Sequence, residues 1–99
     1  MDAQERLIYW LLTGTRGGPT RVRILQTIAK TPLNLRQLSL ELNLDYKTVQ
    51  GHIKTLNQHS ILDVQGERYG AVYFISPEWS DNDKLKEIMR GNGHDEISK

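Results

Sequence analysis

Cysteine is absent from this sequence. That removes a disulfide framework, thiolate catalysis and any cysteine-ligated metal site, and it suits a reducing compartment, with the cytoplasm as the expected location. Long hydrophobic runs are missing as well. The apolar stretches are only a few residues long, as in Ile8-Tyr9-Trp10-Leu11-Leu12, and no basic leader followed by an apolar segment opens the chain. Neither a membrane span nor export is expected. No internal repeat, low-complexity tract or linker interrupts the sequence, so residues 1–99 are read as one domain with one core.

The machinery of an enzyme is also missing. No nucleophile sits beside a base, no carboxylates pair at a strand end, and Gly14 to Gly18 lacks the flanking strand and lysine of a nucleotide loop. The expectation is a protein that binds rather than one that catalyses.

Charge is present and unevenly placed. The net charge of +1 hides a stretch from Gly14 to Leu40 with Arg16, Arg21, Arg23, Lys30 and Arg36 and no acidic residue. From Glu78 onward acidic residues outnumber basic ones. The first stretch is suited to a polyanion and the tail is not.

Apolar spacing orders the rest. Leu7, Ile8, Leu11 and Leu12 mark a helix from Asp2 to Thr13, which Gly14 and Gly17-Gly18-Pro19 stop. Tyr9 and Trp10 leave it apolar around much of its circumference, which points to a partner subunit. Thr20 is the expected N-cap of a second helix carrying Ile24, Leu25 and Ile28. Asn34 with Gln37 forms a capping-box variant ahead of Leu35, Leu38 and Leu42. Asn43 can adopt the left-handed conformation that ends this third helix, Leu44 can plug the corner, and Asp45 can cap the next. A fourth helix from Tyr46 to His59 then buries Val49, Ile53 and Leu56. Two β-rich runs flank the tip Gly66-Glu67-Arg68-Tyr69-Gly70, the pattern of a hairpin. Pro77 breaks the strand, Ser80 is the expected cap of a last helix bearing Leu85, Ile88 and Met89, and Gly91-Asn92-Gly93 is its expected end.

The predicted fold is mainly α with a small β-hairpin, in the order α-α-α-α-β-β-α. Two short helices joined by a tight turn, the second polar outside, form the element that fits an α-helix into the DNA major groove, and the hairpin adds a wing. The core of this winged helix-turn-helix spans 20–76, with the helices at 1–13 and 80–91 outside it. Leu38, Leu42, Leu44, Val49 and Ile53 lock the two helices, and Ser39 is small enough for a close crossing.

Candidate DNA contacts follow from position. Gln50 can pair bidentately with adenine, Lys47 can reach guanine or phosphate, Tyr46 can pack on a thymine methyl, and Gly51 permits close backbone approach. Thr48, His52 and Lys54 share the helix. Arg68 at the wing tip suits the minor groove or phosphate, and Arg21, Arg23 and Arg36 are candidates for sequence-independent phosphate contacts. On any isolated helix a polar outer face is simply solvated; the tight turn before it changes that weighting.

The residues themselves resemble a known family. The segment TRVRILQTIAKTPLNLRQLSLELNLDYKTVQGHIKTLNQHSILDV, residues 20–64, is similar to the pattern of prokaryotic winged-helix regulators of the ArsR and MarR type, and the similarity continues to YFIS at 73–76. The resemblance implies a homodimer held by the first and last helices, a recognition helix in the major groove, and repression from an inverted-repeat operator. Leu7, Trp10, Leu11, Leu85, Ile88 and Met89 then become candidates for the dimer interface. His52-Ile53 resembles the family's His-Leu pair, whose histidine lies near the DNA backbone or supports the helix. The chain departs from the family in lacking the cysteine metal motif and in placing Gln50-Gly51 where a serine and a polar or basic residue are more usual.

His94, Asp95 and Glu96, or His52 with His59, are weak metal candidates, so no metal and no cofactor is expected. The partners expected are double-stranded DNA and a second copy of the chain, with no membrane. A winged helix used only as a protein-interaction module is the alternative. RNA binding ranks last, since only Tyr46 and Tyr69 are plausible stacking aromatics.

Overall fold

The computed structural model of the chain describes residues 2–97, with side chains described for residues 2–91. Helix α1 (Ala3–Thr13) begins one residue later than expected, because Asp2 is its cap: Oδ1 accepts from Glu5 N at 2.7 Å, and Asp2 N donates back to Glu5 Oε1. Ile8, Leu11 and Leu12 face inward while Leu7 and Trp10 face out.

Helix α2 (Gly18–Lys30) starts earlier than its expected Thr20 cap, so Thr20 lies inside the helix. The reason is local: Pro19 carries the backbone torsion of a first helical turn, and Gly18 packs where no side chain fits. A Cβ on Gly18 would collide with the Leu12 carbonyl. The close approach of α1 to α2 therefore depends on that glycine.

Helix α3 (Leu35–Leu42) has the expected cap, with Asn34 Oδ1 accepting from Gln37 N at 2.8 Å. It ends at Asn43, whose φ of 56° is left-handed, and Leu44 N donates to Ser39 O at 3.0 Å across the corner. Asp45 then caps helix α4 (Tyr46–Gln58) through Oδ2, which accepts from Lys47 N and Thr48 N. Leu38 and Leu42 on α3 are buried with Val49, Ile53 and Leu56 on α4, which fixes the angle between the two helices. Each such burial contributes about 1.5–3 kcal/mol.

Strands β1 (Leu62–Gln65) and β2 (Val72–Ile75) pair antiparallel, with Val64 opposite Tyr73. Their connection is tighter than a plain loop: Gly66 has a φ of +95°, and Arg68–Gly70 form one turn of 3-10 helix. Tyr73 N also donates to Leu33 O at 2.9 Å, tying the hairpin to the segment before α3.

The C-terminal part corrects the expectation in three ways. Pro77 opens a short additional helix, α5 (Pro77–Ser80), which buries Trp79, so the order of elements is α-α-α-α-β-β-α-α. The cap of the last helix, α6 (Asp83–Ile97), is Asn82, whose Oδ1 accepts from Leu85 N at 2.9 Å; Ser80 Oγ donates instead to Pro77 O. Helix α6 also runs on through Gly91, Asn92 and Gly93 rather than stopping there. These glycines weaken a helix without forbidding it.

Helix α6 lies on α1 and α2 of its own chain. Gln26 Nε2 donates to Met89 O at 2.6 Å and Asn82 Nδ2 to Glu5 Oε2 at 2.9 Å. Leu85 and Ile88 are buried there along with Leu11. These three expected dimer contacts are therefore corrected: they belong to the core of one chain. Met89 is partly buried against the same core, and Leu7 and Trp10, at 41% and 56% exposed, keep an outward face.

Candidate nucleic-acid interface

Helix α4 carries no acidic residue, and the side it turns from the core presents Lys47, Thr48, Gln50, Gly51 and Lys54, all exposed. Tyr46 and His52 are partly buried at its margins. Because Asp45 holds the first-turn amides and Val49, Ile53 and Leu56 are anchored beneath, this face is presented on a rigid support.

On one flank, α4 and β2 enclose an open cleft of about 700 Å³. Lys47, Gln50, Gly51, Lys54 and Asn57 line it from α4, Tyr73 from β2, and Leu35 and Ile53 form its apolar floor. No carboxylate is among these lining residues. Asn57 and Tyr73 are absent from the candidates drawn from sequence. Nothing in the sequence signalled the approach of β2 to α4 that brings Tyr73 into the cleft.

On the other flank Arg21 departs from expectation. Arg21 is not a free phosphate contact: its Nη1 donates to Leu11 O and to Thr15 Oγ1, both at 2.9 Å, which ties the end of α1 and the following loop to α2. Its buried Nε has no protein partner. His52 lies beside it, and burial first, then the charge of Arg21, hold the imidazole below the ordinary histidine range. Burial likewise lowers the value for Arg21. His52 Cε1 and Arg21 Nη2 both lie against Gly17, in the loop between α1 and α2. Arg23 on α2, Arg36 on α3 and Arg68 at the hairpin tip are exposed outside the cleft. Arg68 sits at a φ of 56°, in a turn closed by Ala71 N donating to Arg68 O, with exposed Glu67 and Tyr69 on either side.

Among the described residues no three His, Cys, Asp or Glu side chains come together to hold a metal. The side chains of His94, Asp95 and Glu96 lie outside the described residues.

Residues 18–63, from the first turn of α2 into β1, match the model of the bacterial regulatory protein family arsR. This segment is an ArsR-type winged helix-turn-helix. No curated protein sequence matches the chain. Among solved structures, the fold recurs in reduced HlyU from Vibrio cholerae, with a TM-score of 0.66 at 16% identity over 91% of this chain and 86% of that one. A homodimeric winged helix-turn-helix DNA-binding domain from Mycobacterium bovis, described as a possible ArsR-family regulator, aligns with a TM-score of 0.61 at 12% identity over 95% and 77%. MarR from Staphylococcus aureus, in complex with salicylate and kanamycin, aligns with a TM-score of 0.63 at 20% identity over 80% of this chain and 53% of that one. At such identities the likeness is one of fold. The ArsR-type domain places this protein among DNA-binding transcriptional regulators, and no described helix is long and apolar enough to cross a membrane.

Proposed function

We propose that this protein is a cytoplasmic, homodimeric regulator that binds double-stranded DNA site-specifically and represses transcription from an inverted-repeat operator. The observation that carries this reading is the exposed, acid-free face of α4, with Lys47, Thr48, Gln50, Gly51 and Lys54 held rigidly behind the Asn43 turn. Two copies related by a two-fold axis would set their α4 helices into successive major grooves about 34 Å apart, with the Arg68 tips reaching outward. Exposed Arg23 and Arg36 would add phosphate contacts that do not depend on sequence.

A second copy is favoured by the outward face of α1, where Leu7, Tyr9 and Trp10 are all more than 40% exposed. The Mycobacterium bovis domain of the same fold is described as a homodimer.

The deciding experiment measures binding to random-sequence duplex through a salt series, followed by in-vitro selection of the preferred duplex. Binding at low salt that weakens log-linearly with salt, and selection of an inverted repeat, is the expected result. Replacing Gln50 by alanine should then alter the selected sequence. Failure to bind any duplex at low salt would instead favour a protein-docking module.

A further inference from the structure

The cleft between α4 and the hairpin contains a residue that the chain's own packing does not explain. Gly51 lies in the middle of α4, where a glycine costs about 1 kcal/mol relative to alanine. A Cβ built on it would meet nothing within 4 Å. Gly18 is different, since there a Cβ would strike the Leu12 carbonyl. Gly51 is required neither by backbone torsion, being helical, nor by a neighbour in the fold.

Its surroundings point to what approaches it. Gly51 lies one helical turn from both Lys47 and Lys54, and these three residues line the cleft together with Gln50, Asn57 and Tyr73. The lining offers two ammonium groups, two amides and a phenol as donors, without a carboxylate. A sugar-phosphate backbone is the ligand that suits such a lining. Duplex geometry leads to the same ligand: a helix in the major groove and a hairpin tip in the neighbouring minor groove are separated by one strand's backbone. With α4 on one side and β2 on the other, the space left for that strand is this cleft.

We propose that one sugar-phosphate strand runs through the cleft between α4 and β2, that Gly51 is bare because the strand approaches closest there, and that Asn57 and Tyr73 donate to its phosphates beside Lys47 and Lys54. The inference rests on the DNA-binding reading above. It divides the face between Gln50, which reads bases, and the remaining donors, which hold a backbone common to every sequence.

The test is Gly51→Ala in the full chain, measured for both thermal stability and duplex affinity. The expected pair of results has opposite signs: a melting temperature raised by about 4–8 °C, and affinity reduced about tenfold or more on selected and random duplexes alike. Tyr73→Phe and Asn57→Ala should each weaken both duplexes several-fold and in equal proportion. Wild-type affinity in Gly51→Ala, or a loss confined to the selected sequence, would overturn the strand placement. If the wild-type chain binds no duplex at low salt, the DNA-binding reading itself fails, and the placement with it.

Discussion

Arg21 and His52 meet over Gly17: a methyl group built on that glycine would lie 2.9 Å from Arg21 Nη2 and 2.9 Å from His52 Cε1. Arg21 also donates to Leu11 O, so the end of α1, the start of α2 and helix α4 converge on one guanidinium. The helix with the exposed apolar face and the helix with the basic face are thus joined through two side chains.

The first consequence concerns Arg21 itself. Arg21→Met removes the donations to Leu11 O and Thr15 Oγ1 and should destabilise the chain by about 1–3 kcal/mol, read from urea denaturation. The salt slope of duplex binding should stay unchanged, because this arginine is engaged inside the protein. A flattened slope would return Arg21 to the phosphate contacts.

The second is a dependence on pH. His52 is held below its ordinary value by burial and by Arg21, so the folded chain resists a proton that the unfolded chain accepts near pH 6.5. The unfolded state then binds more protons, and stability rises with pH through that window. The contribution is fully present above about pH 6.5 and is lost as pH falls through the lower folded value. Denaturation midpoints from pH 5 to pH 8 should show this slope in the wild type and a shallower one in His52→Gln.

Gly18 and Gly51 should respond oppositely to the same substitution. Gly18→Ala drives a Cβ into the Leu12 carbonyl and should cost about 1–3 kcal/mol by forcing α1 from α2. Equal melting temperatures for Gly18→Ala and the wild type would show that the α1 to α2 contact relaxes freely.

Assembly can be separated from folding on α1. Leu7 and Trp10 are exposed, whereas Leu11 is in the core, so Leu7→Glu combined with Trp10→Arg should leave the fold intact. Sedimentation equilibrium should then report a monomer where the wild type reports a dimer. A dimer that survives both changes would place its interface elsewhere.

Local chemistry made much of the molecule legible from sequence. The Asn34 and Asp45 caps, the left-handed Asn43 and the buried faces of α3 and α4 each depend on residues within a few positions of one another, and helical periodicity records such relationships directly. The turn and helix α4 were therefore determined by the sequence alone. Tertiary structure decided what depends on distant residues meeting. Arg21 reads as a free cation until Leu11 and Thr15 surround it, and Leu85 and Ile88 read as an interface stripe until α6 folds back onto α1 and α2. The short α5, the Asn82 cap and the cleft that gathers Asn57 and Tyr73 beside Gly51 were settled the same way. An apolar or charged side chain specifies that it needs a partner, and only the packed chain determines whether that partner lies within it.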